Sequence, residues 1–479
     1  MSELIFPFVS AAIGIPALAA AAAAVGSDRR SRIAGVAASA GAALCALETL
    51  REVHAAGGAR LSEPWALGLF TADPLNATFL LLYSLLTMGI LILAPRRDTS
   101  AKISAATLLV LAATLAAYGA DNLLVLAAAW ILSALPFILG PFTGTWRPRA
   151  GLGLSCVAIL GALGVIAGAA RDAGAANPFS LAELQGHNFG GSAAFTLLII
   201  AIVCRKGIFP AHAWIEDAAE ASPVLPMCLF INGHLGAFLL ARVVIPGFPL
   251  SAQGAFPILS DLALFTAIYA AVRAVAESRA RRILALLVLS QSACILAGLE
   301  SATQEGITGA LVHCLVVAVA TTGLFSVLRL MEVRFGRLFT SDHYLGLAEY
   351  TPRLAVFFVV CGLALVGLPG TLGFCSQDLL IHGTLLSHPQ IGLLLPLATA
   401  MNAVSLFRLF SKLFLGTHRT GIQGISDAIP RERWVLSAIA IFIVAAGVMP
   451  SAVLALRRNA AQALNAPSPA HSASIARSR

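Results

Sequence analysis

Charge is what this sequence has least of. Only 11% of its 479 residues are Asp, Glu, Lys or Arg, against about 25% in ordinary globular proteins. The apolar share is 58% even with 41 glycines left out of it, and mean hydropathy is +0.88. An aqueous fold cannot hide that much apolar surface. A cytosolic enzyme, a disordered chain and a secreted disulfide scaffold are therefore excluded. The apolar runs show no apolar–polar alternation, which excludes an outer-membrane barrel. The remaining class is an all-α polytopic membrane protein.

Paired cysteines are missing as well. Cys45, Cys156, Cys204, Cys228, Cys294, Cys314, Cys361 and Cys375 form no CxxC pair, and each lies inside an apolar run. Such thiols read as small packed hydrophobes. Zinc or iron–sulfur ligation needs clustered ligands, so no metal is expected. The net charge of +8 comes from basic residues in runs no longer than two. That spread excludes the basic patch of a nucleic-acid binder. No hydrophilic stretch is long enough for a nucleotide or redox-cofactor domain. The chain is thus expected to hold no cofactor and not to be catalytic by itself.

What is present is a succession of apolar runs. A hydrocarbon core about 30 Å thick takes about 20 apolar residues per helix. Fourteen runs qualify: 4–25, 33–50, 75–94, 103–117, 122–140, 151–170, 193–214, 223–245, 256–275, 283–299, 307–331, 354–380, 391–415 and 434–456. The first has no basic flank before it and reads as a retained span. Arginines crowd the odd-numbered connections: Arg29, Arg30 and Arg32; Arg96 and Arg97; Arg147 and Arg149; Arg279, Arg281 and Arg282; Arg334, Arg337 and Arg353; Arg419, Arg431 and Arg433. The even-numbered ones carry Arg51, Arg60, Arg171 and Arg242. The positive-inside rule then turns the odd loops to the cytoplasm and both termini to the periplasm. Residues 457–479, rich in Ala, Ser and Pro, read as a disordered tail.

Two runs are interrupted. The seventh holds Arg205 and Lys206 just before Gly207 and Pro210. The twelfth holds Pro369 and Gly370 before Gln377 and Asp378. Proline removes a helix hydrogen bond, and an intramembrane cation costs about 2.5–3.5 kcal/mol on insertion scales. Such breaks, an odd number of helices apart, point to a transporter with inverted repeats and a polar site at the broken helices.

The text around the first break reads Arg205-x4-Pro210-x-His212-x-Trp214-Ile215-Glu216-Asp217-Ala218, then Ala221-Ser222-Pro223-Val224. It resembles the antiporter-like, proton-conducting membrane subunits of respiratory complex I. Mrp-type cation/proton antiporters, membrane-bound hydrogenases and inorganic-carbon uptake complexes have members of the same family. The resemblance continues through Leu239-Leu240-Ala241-Arg242, Arg282-Ile283-Leu284-Ala285, Leu289-Ser290-Gln291 and Gly370-x-x-Gly373-Phe374. It covers about residues 75–415.

The resemblance implies two side-by-side inverted repeats of five helices. They would span 103–247 and 248–416, preceded by three helices in 1–102 and followed by a last helix in 417–456. The seventh and twelfth helices would be discontinuous. It also implies a midplane chain of Glu, Lys and His, and partner subunits of a larger energy-converting complex in a bacterial-type inner membrane.

Several family relay positions are changed. The helix-five Glu is Ile131, the helix-seven Lys is Arg205 with Lys206 beside it, and two helix-eleven positions are Val317 and Thr321. The helix-twelve position is Gln377, with Asp378 adjacent. Arginine does not give up its proton. The candidate relay residues are Lys206, His234, His313 and Asp378, with Arg205 at the relay's lysine position. Asp121 and Glu216 are candidate partners for Lys206, and Asp378 is a candidate helix cap. Glu216, Asp217 and Glu220 read as solvated groups. Arg273, Glu277, Arg329, Glu332, Arg408 and Lys412 read as interfacial anchors. Three functions are open: a proton-translocating subunit of an NADH:quinone oxidoreductase- or hydrogenase-like complex, a non-conducting scaffold of such a complex, and a subunit of an inorganic-carbon uptake complex.

Overall fold

The computed structural model describes residues 3–63, 68–140, 142, 145–336, 338–416 and 425–465. In chain order the helices begin with α1 (Phe8–Val25), α2 (Asp28–Ala55), α3 (Asn76–Leu93), α4 (Ala101–Gly119), α5 (Leu123–Ile138), α6 (Trp146–Asp172) and α7 (Leu181–Leu184). Next come α8 (Gly191–Lys206), α9 (Ala213–Ala221), α10 (Val224–Asn232), α11 (Leu235–Leu239), α12 (Ile245–Gly247) and α13 (Pro249–Ala276). The series ends with α14 (Ala280–Glu300), α15 (Gln304–Phe335), α16 (Pro352–Leu365), α17 (Leu372–Ser387), α18 (Pro389–Phe414), α19 (Pro430–Val448) and α20 (Ser451–Asn465). A short antiparallel pair, Leu61–Ser62 with Thr71–Ala72, caps one end.

Among the described residues ten helices are long and apolar enough to cross a membrane, with Val224–Gly247 (α10 to α12) taken as one, or eleven with α19 and α20 taken as one bent span. The chain is thus a multi-pass membrane protein. Helices α5 and α16 are apolar but shorter. A run apolar on all sides can face lipid or protein, and here the two outcomes separate. Every residue in the apolar window of α14 is buried, and nearly all of α15 is, whereas α1, α13 and α18 keep large lipid-facing surfaces. The polar residues of α14 and α15 therefore lie inside the bundle.

The tail departs from expectation. The chain turns by 78° after α19, and α20 continues as a helix to Asn465. Arg457, read as a tail charge, is fully buried. It donates to the carbonyls of Pro74 and Leu75 and to Thr78 Oγ1. The buried guanidinium is thereby paired with carbonyl and hydroxyl oxygens at the start of α3. The rest of the tail, with Arg337 and Arg419 of the orientation argument, lies outside the described residues.

Candidate functional site

The two expected breaks are built alike. Helix α8 stops at Gly207, whose φ of +67° suits glycine, and a Cβ there would meet Ile215 Cδ1 at 2.3 Å. Pro210 follows, and α9 starts at Ala213. A carbonyl freed in the last turn of α8 is recovered across the gap: Trp214 Nε1 donates to Cys204 O at 2.8 Å. Helix α16 ends at Leu365, Gly367 and Gly370 take positive φ around Pro369, and α17 starts at Leu372. Here Gln377 Nε2 reaches back to Leu365 O at 3.1 Å. In both, a side chain of the second half satisfies a backbone group of the first, as a bilayer interior requires.

A third break has no proline signal. Helix α10 ends at Asn232, His234 takes φ +44°, and α11 begins at Leu235. The Asn232-Gly233 pair inside an apolar run is the turn signal that marks it. His234 stands at the break itself, buried.

Lys206, the last residue of α8, points at this break. Its Nζ donates to His234 Nδ1 at 3.0 Å and to Ser292 Oγ of α14 at 3.0 Å. One residue back on α14, Gln291 Oε1 lies 2.7 Å from Nε2 of His313 on α15. The other ring nitrogen of His313 is 2.9 Å from Ser376 Oγ, in the first turns of α17 after the twelfth-run break. Two polar groups thus meet through neighbouring residues in the buried stretch of α14. Lys206, His234 and His313 are all buried and within charge–charge range of one another. His234 Nε2 and Gln291 Nε2 have no partner among the described residues. A small pocket lined by Gln291, Gln377 and Thr399, with space for about one water, opens beside the latter.

Arg205 points elsewhere. Its guanidinium donates to Trp130 O at 3.1 Å and Ser133 Oγ at 2.8 Å, and lies 4.9 Å and 4.0 Å from the ring centroids of Trp130 and Phe230. Trp130 is itself held by Ser155 Oγ, 3.1 Å from Nε1. The carboxylate of the family pattern is replaced by Ile131, and π faces and neutral oxygens now hold the cation.

Other expectations are corrected. Asp378 does not join the relay: its side chain is 54% exposed on the outside of α17, 3.5 Å from His382. The inward positions of that turn go to Ser376 and half-buried Gln377. It caps nothing at the break, since the cap of α17 is Thr371. Lys206 pairs with neither proposed carboxylate. Asp121 binds Arg60, and Glu216 binds Arg273 at 2.9 Å.

Glu216 and Asp217 are buried, not solvated; Asp217 meets Arg282 at 3.2 Å and Arg147 at 3.5 Å. Arg329 and Glu332 are not free anchors. Arg329 holds Asp98 at 2.6 Å, and Glu332 is bound by Arg281 at 2.6 Å. Short runs of i, i+4 charge read as surface in isolation, but α9 packs its acidic face onto the arginine-rich start of α14. Glu220 in this cluster is drawn both ways. Burial opposes its ionisation, but hydrogen bonds from Arg279 and Arg282 outweigh that and hold its carboxyl below the usual range.

The family described as NADH:quinone oxidoreductase/Mrp antiporter, transmembrane, matches residues 120–402. The chain belongs to this family. Subunit M of NADH-quinone oxidoreductase from Mycobacterium tuberculosis is 27% identical over 264 residues, which cover 55% of this chain and 48% of that protein. The chain thus matches about half the length of such M-subunit relatives. Subunit 13 from Thermus thermophilus is 28% identical over 399 residues, 81% of this chain and 82% of the relative. A chain of respiratory complex I from Thermus thermophilus superposes with a TM-score of 0.84 at 26% identity, covering 96% of this antiporter-family chain and 99% of its own. A chain of the Mrp complex from Dietzia shares the fold, with a TM-score of 0.83 at 20% identity over 97% of this chain and 99% of its own.

Proposed function

We propose that the chain is an antiporter-like membrane subunit that helps translocate protons within a larger energy-converting complex, of the NADH:quinone oxidoreductase or hydrogenase-like kind. Its partners would supply the driving reaction, and the chain itself would provide part of the path. The observation that carries this reading is the buried line Lys206–His234 and Ser292–Gln291–His313–Ser376, strung between three helix breaks. Lysine and histidine bind and release protons where arginine does not. An ionisable group inside a bilayer is a functional feature by default. The orphaned nitrogens of His234 and Gln291 are sites that ordered water would satisfy.

In this reading the fourteen runs are fourteen spans. The short helices α5 and α16–α17 and the broken α8–α9 make up the number beyond the long apolar helices. Helices four to eight and nine to thirteen would be the two inverted repeats, with boundaries near 103, 247 and 416. The arginine-rich loops would face the cytoplasm of a bacterium and both termini the periplasm. Arg205 would be a fixed charge and not a relay member.

A scaffold that keeps the fold without conducting is the second reading. Ile131 and the caged Arg205 favour it, because the usual ion pair is gone from that end of the line. A high-resolution map of the assembled complex separates the two. Ordered water running from Lys206 to Gln291 and on to Gln377 supports conduction. A dry midplane supports the scaffold.

A further inference from the structure

Several arginines on the arginine-rich side of the bundle have a carboxylate. Arg281, Arg282, Arg329 and Arg334 each hold one. Arg32, Arg96 and Arg431 are in no ion pair among the described residues. The rest of the chain contains no Asp or Glu side chain that could join them. Nearby carboxylates are used elsewhere. Asp28 accepts from Ala101 N at 2.7 Å, Asp98 binds Arg329, and Glu432 binds Arg334.

The fold nevertheless brings the three arginines together. Arg32 lies in the second turn of α2, Arg96 just beyond the end of α3, and Arg431 in the first turn of α19. Helix α3 packs against both of the others. Arg431 and Arg96 stand within charge–charge range of Arg32. Arg32 donates to Ile92 O, near the end of α3, at 3.1 Å. Arg431 Nε is buried with no partner among the described residues. Like charges gathered without a counter-ion repel. The dipole of α19 also opposes a cation in its first turn, and a buried N–H left unbonded adds its desolvation cost. One anion at this corner would relieve all three penalties.

The flank of the corner says which anion. Ile33, next to Arg32, is 61% exposed, and Trp434, one helical turn on from Arg431, is 79% exposed. An exposed tryptophan beside arginine at the end of a span belongs to the headgroup level of a bilayer. Guanidinium groups offer paired N–H donors that match phosphate oxygens. Basic pockets between helices at that level suit anionic headgroups.

We infer that Arg32, Arg96 and Arg431 bind the phosphate of an anionic phospholipid whose acyl chains lie along Ile33 and Trp434. Inorganic phosphate offers the same oxygens without the chains. The inference stands apart from the proton-translocating reading.

The test reconstitutes the full chain in phosphatidylcholine vesicles with a graded fraction of dibrominated phosphatidylglycerol. Bromine quenches tryptophan on contact, and subtracting the signal of Trp434→Phe isolates Trp434. Preference is read as a ratio to quenching by dibrominated phosphatidylcholine in the same variant, so a loss of fold does not imitate a loss of headgroup binding. Phosphatidylglycerol is expected to be preferred about tenfold. Arg32→Gln with Arg431→Gln is expected to bring the preference below about twofold. Arg431→Lys, which keeps the charge and loses the fork, is expected to fall between.

Arg30→Gln with Arg433→Gln removes two exposed arginines from the same helix starts and is expected to leave the preference nearly intact. An equal loss in that control makes the effect a general surface attraction and overturns the site. So does an unchanged preference in the Arg32→Gln, Arg431→Gln chain. Excess inorganic phosphate is expected not to displace the lipid; displacement assigns the corner to the free anion and overturns the lipid assignment. Quenching that disappears in the assembled complex gives the arginines to an acidic partner surface and overturns it as well.

Discussion

Glu332 offers the sharpest stability test. Its side chain is 1% exposed in the last turns of α15, yet both oxygens are used. Arg281, in the first turn of α14, donates from Nε at 2.8 Å and from Nη2 at 2.6 Å, and Arg329 adds a third bond at 3.1 Å. Hydrogen bonds to charged groups are worth about 1.5–3 kcal/mol each. Glu332→Leu removes the acceptor and leaves Arg281, 11% exposed, with only the Glu220 carbonyl at 3.2 Å. An uncompensated buried charge of this kind costs about 3–5 kcal/mol.

Arg281→Met combined with Glu332→Leu removes both charges and is expected to cost about 1 kcal/mol, since Arg329 keeps its two bonds to Asp98. The double variant is then expected to be about 2–4 kcal/mol more stable than Glu332→Leu alone. The assay is reversible unfolding of the purified chain in mixed micelles, followed by tryptophan fluorescence. A single variant that loses less than about 1 kcal/mol would refute the reasoning. So would a double variant as unstable as the single.

Further outcomes follow from other contacts. Phe230→Leu removes the ring 4.0 Å from the Arg205 guanidinium and is expected to cost about 1–2 kcal/mol in the same unfolding assay. A Cβ at Gly383 would meet Gly306 N at 2.1 Å and Gly306 Cα at 2.3 Å, backbone that cannot rotate away. Gly383→Ala is expected to destabilise by about 1–3 kcal/mol or more, measured as loss of monodisperse protein on heating.

Glu220 has a depressed carboxyl in the fold, so its ion pairs contribute fully above the ordinary value of 4.5 and are lost as the pH falls below it. Stability measured from pH 7 down to pH 3 is expected to show a step that Glu220→Gln abolishes.

Membrane class was legible from composition because the bilayer imposes a coarse rule: enough apolar residues in each run. Two breaks were legible because proline and glycine act locally. The break at His234 was harder, since it relies on Asn232-Gly233 and on Lys206 waiting across the gap. Asp378 and Gln377 show the limit of alignment by residue type. One residue along a helix is a turn of about 100°, enough to send the carboxylate outward and leave a serine for His313. Arg457 and Glu216 show the other limit. A charge near a span end reads as solvated until a distant segment supplies its partner, and no local pattern reports a contact between α20 and the start of α3.

Coupled proton translocation by the assembled complex, with electron transfer or ion exchange recorded in parallel, tests the central claim most directly. Lys206→Ala removes the group that joins α8 to His234 and Ser292. Assembly is expected to persist and proton translocation to fall at least tenfold relative to the driving reaction. A Lys206→Ala complex that translocates protons at the unaltered ratio and rate would contradict it.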